Sequence, residues 1–458
     1  MNITAAIFRM YDIRGVVKND LTPDAVKIIG QAFAAECLAQ DCNTVAIGRD
    51  GRLHSPLLAQ KLAEGLQAGG CDVIDVGEVP TPILYFATHH LRTHTGIMVT
   101  GSHNPPEYNG LKMLINSKTL YGDDILGLHK RITENRLSKG KGKYRQQNVV
   151  ETYLKRITDD VKLAKPMNIA VDCGNGVAGS VAPELFKRLG CTVTELFCDV
   201  DGTFPNHHPD PSKLENLQDL CAAIESGKHD LGLAFDGDGD RVGIVDNKQH
   251  IIFPDRQMIL YAEDVLSRNP GAQIIYDIKS SYHLGKAITS LGGEPLMWKT
   301  GHSLIKAKMK ETGALLAGEM SGHIFFKERW YGFDDGLYAA ARMLEILSNK
   351  SETASEVFGK LPDSFNTPEL QIKFNEGEHY SYMENFMKQA AFPDAVNISS
   401  IDGMRVTWNK GWGLVRPSNT TPSLVLRFEA EDQATLNDVQ AKFREQMLKV
   451  DPALKLPF

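Results

Sequence analysis

Apolar and polar positions follow one order three times along this chain. The first copy opens on the apolar run Val45-Ala46-Ile47, which predicts a strand, and passes into the polar turn Gly48-Arg49-Asp50-Gly51. Leu57, Leu58, Leu62 and Leu66 then recur at helical spacing, with Ser55 expected as N-cap and Pro56 at the first helical position. Gly69-Gly70 stops that helix, and Val73-Ile74-Asp75-Val76 opens a new strand. The second copy runs from Ile169-Ala170-Val171-Asp172 through a helix to Leu189, stops at Gly190 and resumes at Thr192-Val193. The third runs from Ile274-Ile275-Tyr276-Asp277 through Leu284, Ile288 and Leu291 to the stop Gly292-Gly293. Strand–helix–strand units of this length favour parallel pairing with right-handed crossovers.

Each copy then reaches another short apolar strand that ends in a polar loop. These are Ile97-Met98-Val99 into Thr100-Gly101-Ser102-His103-Asn104-Pro105, Leu231 to Phe235 into Asp236-Gly237-Asp238-Gly239-Asp240-Arg241, and Leu315-Leu316-Ala317 into Gly318-Glu319-Met320-Ser321-Gly322-His323. Ligands gather at the carboxyl ends of parallel strands, so three unusual loops at matching places predict one shared site. After about residue 364 the pattern changes. Val406 to Trp408 and Ser423 to Phe428 read as strands around the loop Arg416 to Pro422, and a terminal helix places Leu436, Val439, Phe443 and Met447 on one face. The expected division is 1–148, 149–251 and 252–364 for three α/β units and 365–458 for a smaller α+β domain.

Composition narrows the picture modestly. At about 150 residues per domain, 458 residues suggest roughly three domains, with two or four also reasonable. Hydrophobic residues at 42% and charged residues at 23% fit a globular protein and exclude disordered or collagen-like architecture. The net charge of −7 argues against a nucleic-acid or anionic-membrane partner. No apolar run has the length to span a bilayer. The start, Met1 to Phe8, has neither a basic nor an apolar leader segment, so no signal peptide is expected. Seven cysteines without a CxxC motif read as scattered reduced thiols, and the expected location is the cytoplasm.

The loops carry the chemistry. Ser102 beside His103, between Gly101 and Asn104-Pro105, offers a hydroxyl on a tight turn, either a nucleophile or the carrier of a transferable group, or simply a capping serine. Asp236, Asp238 and Asp240 alternate with glycine. Three carboxylates so close repel unless a cation neutralises them, and hard oxygen ligands favour Mg²⁺ or Ca²⁺. An EF-hand fails, because its sixth position is Arg241 and its twelfth Asn247. Glu319, Ser321 and His323 suit the hydroxyls of a polar ligand, as a plain turn also would. Arg416, Ser418, Asn419, Thr420 and Thr421, with Pro417 and Pro422 fixing the loop, make a dense set of donors suited to a phosphate dianion, or a plain polar hairpin loop. One segment points elsewhere. Gly174-Asn175-Gly176-Val177-Ala178-Gly179 is G-x-G-x-x-G between strand and helix, with Glu195 about 20 residues on, which makes an NAD-dependent oxidoreductase the remote alternative. That reading leaves the Ser102, aspartate and Arg416 loops unexplained.

Taken together, these loops resemble the α-D-phosphohexomutase superfamily, and within it the bacterial phosphomannomutase/phosphoglucomutase branch. The likeness runs from Phe8-Arg9-Met10-Tyr11-Asp12-Ile13-Arg14-Gly15 to the Arg416 loop. It implies three related α/β domains with mixed sheets and a C-terminal α+β domain like the TATA-box-binding protein, around a central cleft. By that resemblance Ser102 is the phosphorylated serine, and Ser102, Asp236, Asp238 and Asp240 hold Mg²⁺. Arg14, His103, Lys112, Arg241 and His323 take catalytic positions, Lys112 and His323 being the candidates for proton transfer. Tyr11, Lys279, His302, Glu319, Ser321, Arg416, Ser418, Asn419 and Thr420 take substrate-binding positions. Lys279 and His302 would otherwise pass as surface residues. The implied reaction interconverts hexose 1-phosphate and 6-phosphate through a hexose 1,6-bisphosphate, which also serves as activator. Small sugar phosphates are the expected partners, with no membrane and no nucleic acid, and the chain is expected to be a monomer. Ser418-Asn419-Thr420-Thr421-Pro422 departs from the S-G-T-E-P of phosphoglucosamine mutases, the alternative within the family, and Met320 offers no contact to an amino group. Gly318 to His323, followed by Phe325 to Trp330 and Phe333 to Gly336, looks like the dual mannose/glucose type.

Overall fold

The computed structural model describes residues 3–419 and 421–458. Its first three sheets share one strand order. In the first, Asp72–Glu78, Thr44–Arg49 and Gly96–Val99 lie side by side and parallel, and Tyr108–Ile115 returns antiparallel. In the second, Thr192–Leu196, Asn168–Asp172 and Leu231–Phe235 are parallel and Val242–Asp246 returns. In the third, Glu294–Trp298, Gln273–Asp277 and Leu316–Gly318 are parallel and Ile324–Phe326 returns. The repeat read from the sequence is therefore a repeated mixed sheet. Its three polar loops are the same hairpin, joining the third parallel strand to the returning one. The first sheet gains Ile13–Val16 beside Tyr108–Ile115.

Crossover helices Ser55–Gly69, Ala182–Arg188 and Tyr282–Ser290 end just before Gly70, Gly190 and Gly292, each with positive φ, as the stop signals predict. The start of the first differs from expectation. No side chain caps it, His54 occupies the cap position, and the Ser55 hydroxyl donates to Asp50 instead. The hydroxyl is spent on tying the helix to the polar turn before it.

The fourth sheet is antiparallel throughout, with Ser423–Ala430, Gly411–Pro417, Met404–Trp408 and Asn397–Ser399 in that order. Arg416 and Pro417 finish a strand, so the expected loop begins later than the sequence reading placed it. One face packs on the helices Glu378–Gln389 and Gln433–Val450 through Phe386, Val406, Phe428 and Phe443, a core of its own. Leu436, Val439, Phe443 and Met447 of the terminal helix are all buried there. By contrast, one core runs through the first three units, from Ile83 and Phe86 through Leu185 and Phe235 to Leu337 and Leu344, beside a second that belongs to the first unit alone and includes Phe33, Ile47 and Leu66. Three units are cemented together and the fourth is attached. All seven cysteines are free, and among the described residues no helix is long and apolar enough to cross a membrane.

Candidate active site

The three hairpin loops meet. Ser102 has φ 49° and is buried, and its Oγ donates to Asp236 Oδ2 at 3.2 Å and lies 3.1 Å from His103 Nδ1. A Cβ at position 237 would meet Ser102 O at 2.3 Å, so the aspartate loop can approach the serine only with glycine there. The serine loop is held from behind by Arg52. Its guanidinium donates to the carbonyls of Ser102 (2.8 Å), Asn104 (2.6 Å), Pro105 (2.6 Å) and Tyr108 (3.1 Å) and pairs with Asp50.

Asp236, Asp238 and Asp240 have no exposed surface, and carboxylate oxygens from all three lie within 4.8 Å of one another. Lys112 Nζ donates to Asp238 Oδ2 at 2.7 Å and to Asp240 Oδ2, and Thr81 Oγ1 also donates to Asp238. One oxygen on each of Asp238 and Asp240 has no hydrogen-bond partner among the described residues. Burial and the other two carboxylates push Asp236 well above the usual carboxylate value. Burial also acts to raise Asp238, but Lys112 and the hydrogen bonds override it and hold that group low. For Lys112, burial favours the neutral amine and the aspartates outweigh it, so the ammonium persists. Three dry carboxylates, two of them with a spare oxygen, opposed by Lys112 and by Arg241 3.8 Å from Asp236, form an all-oxygen cradle suited to a small hard cation.

Beside this cluster, Arg241 Nε donates to His323 Nε2 at 3.0 Å. A guanidinium only donates, so Nε2 carries the lone pair and the ring proton sits on Nδ1. That Nδ1 lies 3.0 Å from Asp334 Oδ2, and Lys306 Nζ pairs with Asp334 Oδ1 at 2.8 Å. His302 stacks on His323 with ring centroids 5.4 Å apart. Desolvation, then Lys306, hold His302 well below the ordinary imidazole value. Desolvation and the cations Arg241, Arg14 and Lys112 do the same for His103. Both rings are therefore neutral near pH 7.

A second group gathers cations. Arg416 Nε pairs with Asp402 at 2.9 Å, and Lys279 Nζ with Glu369 at 2.9 Å. Tyr11 OH donates to Thr300 O at 2.7 Å and accepts from Asn419 Nδ2. Glu319 accepts from Gly301 N, and burial pushes its carboxyl above the usual value. Arg14 is bonded to Asp12 and Asn104, the latter in the serine loop. Ser418 Oγ accepts from Thr421 N at 3.2 Å, and Ser321 is half-buried on its hairpin. Thr420 lies outside the described residues. Lys279 and His302, which the sequence pattern leaves on the surface, are both buried. The sequence reading missed Thr81, Arg52, Asp334, Asp402 and Glu369. Each acts through a contact distant in sequence or lies in an ordinary-looking segment.

The Gly174-x-Gly176-x-x-Gly179 segment has a packing explanation. A Cβ at 176 would meet Gly237 Cα at 2.9 Å, and one at 179 would meet Cys198 O at 2.0 Å. Glu195 pairs with Lys187. These glycines let the aspartate loop and the loop after the strand Thr192–Leu196 approach, which leaves the dinucleotide reading without its main support.

Comparison with known proteins agrees over the whole chain. Models of phosphoglucomutase/phosphomannomutase α/β/α domains I, II and III match residues 5–137, 151–249 and 253–365, and the C-terminal domain model matches 369–446. The chain is 54% identical over 456 residues to the phosphomannomutase/phosphoglucomutase of Pseudomonas aeruginosa, covering 100% of this chain and 98% of that one. It is 51% identical over 459 residues to a phosphoglucomutase of Neisseria gonorrhoeae, covering 100% and 99%. A crystal structure of a phosphoglucomutase/phosphomannomutase family protein from Burkholderia thailandensis superposes with a TM-score of 0.95 at 50% identity, covering 100% of both chains.

Proposed function

The chain belongs to the phosphoglucomutase/phosphomannomutase family of α-D-phosphohexomutases, which are isomerases, and on that premise we propose that it interconverts the 1- and 6-phosphates of glucose and mannose, with Ser102 as phosphoryl carrier. One observation carries the reading: a buried serine hydroxyl rests directly on the triple-aspartate cradle. The relative at 54% identity is named for both mannose and glucose and the one at 51% for glucose alone, which supports these hexoses over glucosamine phosphate.

Phosphorylated Ser102 gives its phosphoryl group to the free hydroxyl of the bound sugar phosphate. The P–Oγ bond breaks, a P–O bond to the sugar forms, and the hydroxyl proton passes to an enzyme group. The resulting 1,6-bisphosphate turns over in the cleft and returns its other phosphoryl group to Ser102. Asp236, Asp238 and Asp240, with the phosphoserine, would hold Mg²⁺, whose chemistry is to neutralise charge on a transferring phosphoryl group. The chain's own residues do the rest. Lys112, kept protonated by the aspartates, is a fixed cation on that side of the cleft, and it and His323 are the two candidates for proton transfer. His323 presents the Nε2 lone pair once the sugar hydroxyl replaces Arg241, with the Asp334 carboxylate 3.0 Å from Nδ1. Arg416 and Lys279 exchange Asp402 and Glu369 for the phosphate that does not react, and Ser418, Asn419, Thr420 and Tyr11 complete its donors. Glu319 and Ser321 bond the sugar hydroxyls. Arg14 braces the serine loop through Asn104.

The test is steady-state kinetics with Mg²⁺ on the 1- and 6-phosphates of glucose and mannose, beside glucosamine 6-phosphate. Comparable kcat/KM on both hexose pairs is expected. Preference for the amino sugar would move the assignment to the glucosamine branch, and no isomerisation of any would overturn it.

A further inference from the structure

The segment that carries Lys279 is fastened by another domain. Three consecutive carbonyls, those of Ile278, Lys279 and Ser280, accept hydrogen bonds from two buried arginines of the C-terminal sheet. Arg405 Nη1 donates to Ile278 O and to Ser280 O at 2.8 Å, and Arg427 Nη1 donates to Lys279 O at 2.6 Å. The next residue is held as well: Ser281 Oγ donates to Glu429 Oε1 at 2.6 Å. Asp255, on the helix Pro254–Arg268, accepts from Ser281 N at 2.9 Å and from Arg427 at 3.3 Å.

The sheet presents these groups in register. Leu414 pairs with Arg405 on one side and Arg427 on the other, and Trp412 pairs with Glu429 one step along. Arg405 stacks over the Trp412 ring at 3.7 Å, and Trp412 Nε1 donates to Glu429 Oε2 at 2.7 Å. Trp412 and Leu414 pack against Ile278. Side chains alternate along a strand, so Trp412, Leu414 and Arg416 share this face. The strand between the two gripping arginines, Gly411–Pro417, thus carries Arg416 close to its end.

We propose that Arg405 and Arg427 are positioning residues that couple Lys279 to Arg416, making the two phosphate-binding cations one positioned unit. The inference rests on the reading of Lys279 as a phosphate ligand. Neither arginine touches substrate. Each fixes the backbone from which Lys279 reaches the site. Backbone carbonyls with several donors from a buried guanidinium have little freedom, and small misplacement of a binding group is costly.

The experiment is a double-mutant cycle on the full chain, read as KM and kcat for glucose 1-phosphate. Arg427→Met and Arg405→Met should each raise KM about tenfold with a smaller change in kcat. Each effect should fall below about twofold in a Lys279→Ala background, because the positioned group is then gone. Arg427→Lys and Arg405→Lys, which keep a donor, should recover part of the loss and serve if a methionine variant does not fold. Equal effects with and without Lys279 would overturn the positioning role while leaving Lys279 as a ligand. An unchanged KM in Lys279→Ala alone would overturn the ligand reading and the proposal with it.

Discussion

The segments bearing Ser102 and Lys279 are both held by buried arginines that donate to runs of backbone carbonyls, but the arginines come from different places. Arg52 belongs to the same sheet unit as the serine it braces. Arg405 and Arg427 belong to the C-terminal domain and reach across to the third unit. The serine sits in a part of the molecule whose three units share one core, whereas the C-terminal domain has a separate one. The transfer end is thus braced from within its own unit, and the binding end is tied to a domain with a core of its own. That division suits a reaction in which one phosphoryl carrier must serve a sugar bound in two orientations.

Breaking the transfer end should have the largest effects. Ser102→Ala removes the carrier and should lower kcat by about 10⁴-fold or more in a coupled assay, since nothing else in the cradle can accept the group. Asp238→Asn should lower kcat by about 10²- to 10³-fold and raise the Mg²⁺ concentration needed for half-maximal rate; a titration with the metal checks both. At the binding end, Arg416→Ala should raise KM by about 10- to 100-fold and lower kcat less. Arg52→Lys leaves some of four carbonyls without a donor. It should lower kcat about tenfold with KM little changed, the reverse of the Arg416 pattern. A KM effect there would erase the contrast between the two ends.

The smallest effect is a titration. Lys279 holds Glu369 down at about 2, against the ordinary carboxylate value. Because the folded value is depressed, the contact's contribution is full above the unfolded value of 4.5 and is lost as pH falls toward about 2, so it persists from pH 5 to 8. A carboxyl carbon NMR titration should find Glu369 low in the wild type and moved up toward the ordinary value in Lys279→Ala. Saturating sugar phosphate should move it the same way by drawing Lys279 off.

Much of this was legible in the sequence, for reasons that also explain the gaps. The repeat shows because each helix must stop and each strand must restart, and glycine marks the stop. The aspartate loop shows because three alternating carboxylates are hard to explain without a cation. Asp402 and Glu369 did not show, since an acid that pairs with a cation elsewhere in the chain looks like any surface acid. Arg405, Arg427 and Arg52 did not show either. An arginine that donates to carbonyls leaves no complementary residue to find. Ser55 misled, because a hydroxyl at a helix start can serve a neighbouring carboxylate instead of the helix. The glycines of 174–179 left a remote alternative open, since close backbone approach needs glycine whether the neighbour is a pyrophosphate or another loop.

The account stands on Ser102 as the carrier of the transferred group, and intact-protein mass spectrometry with peptide mapping tests that most directly. The freshly purified chain should hold a species about 80 Da heavier than the sequence mass. The addition should map to Ser102 and disappear on adding excess glucose 6-phosphate as bisphosphate forms. Full isomerase turnover by a chain that never carries phosphate on Ser102 would contradict it.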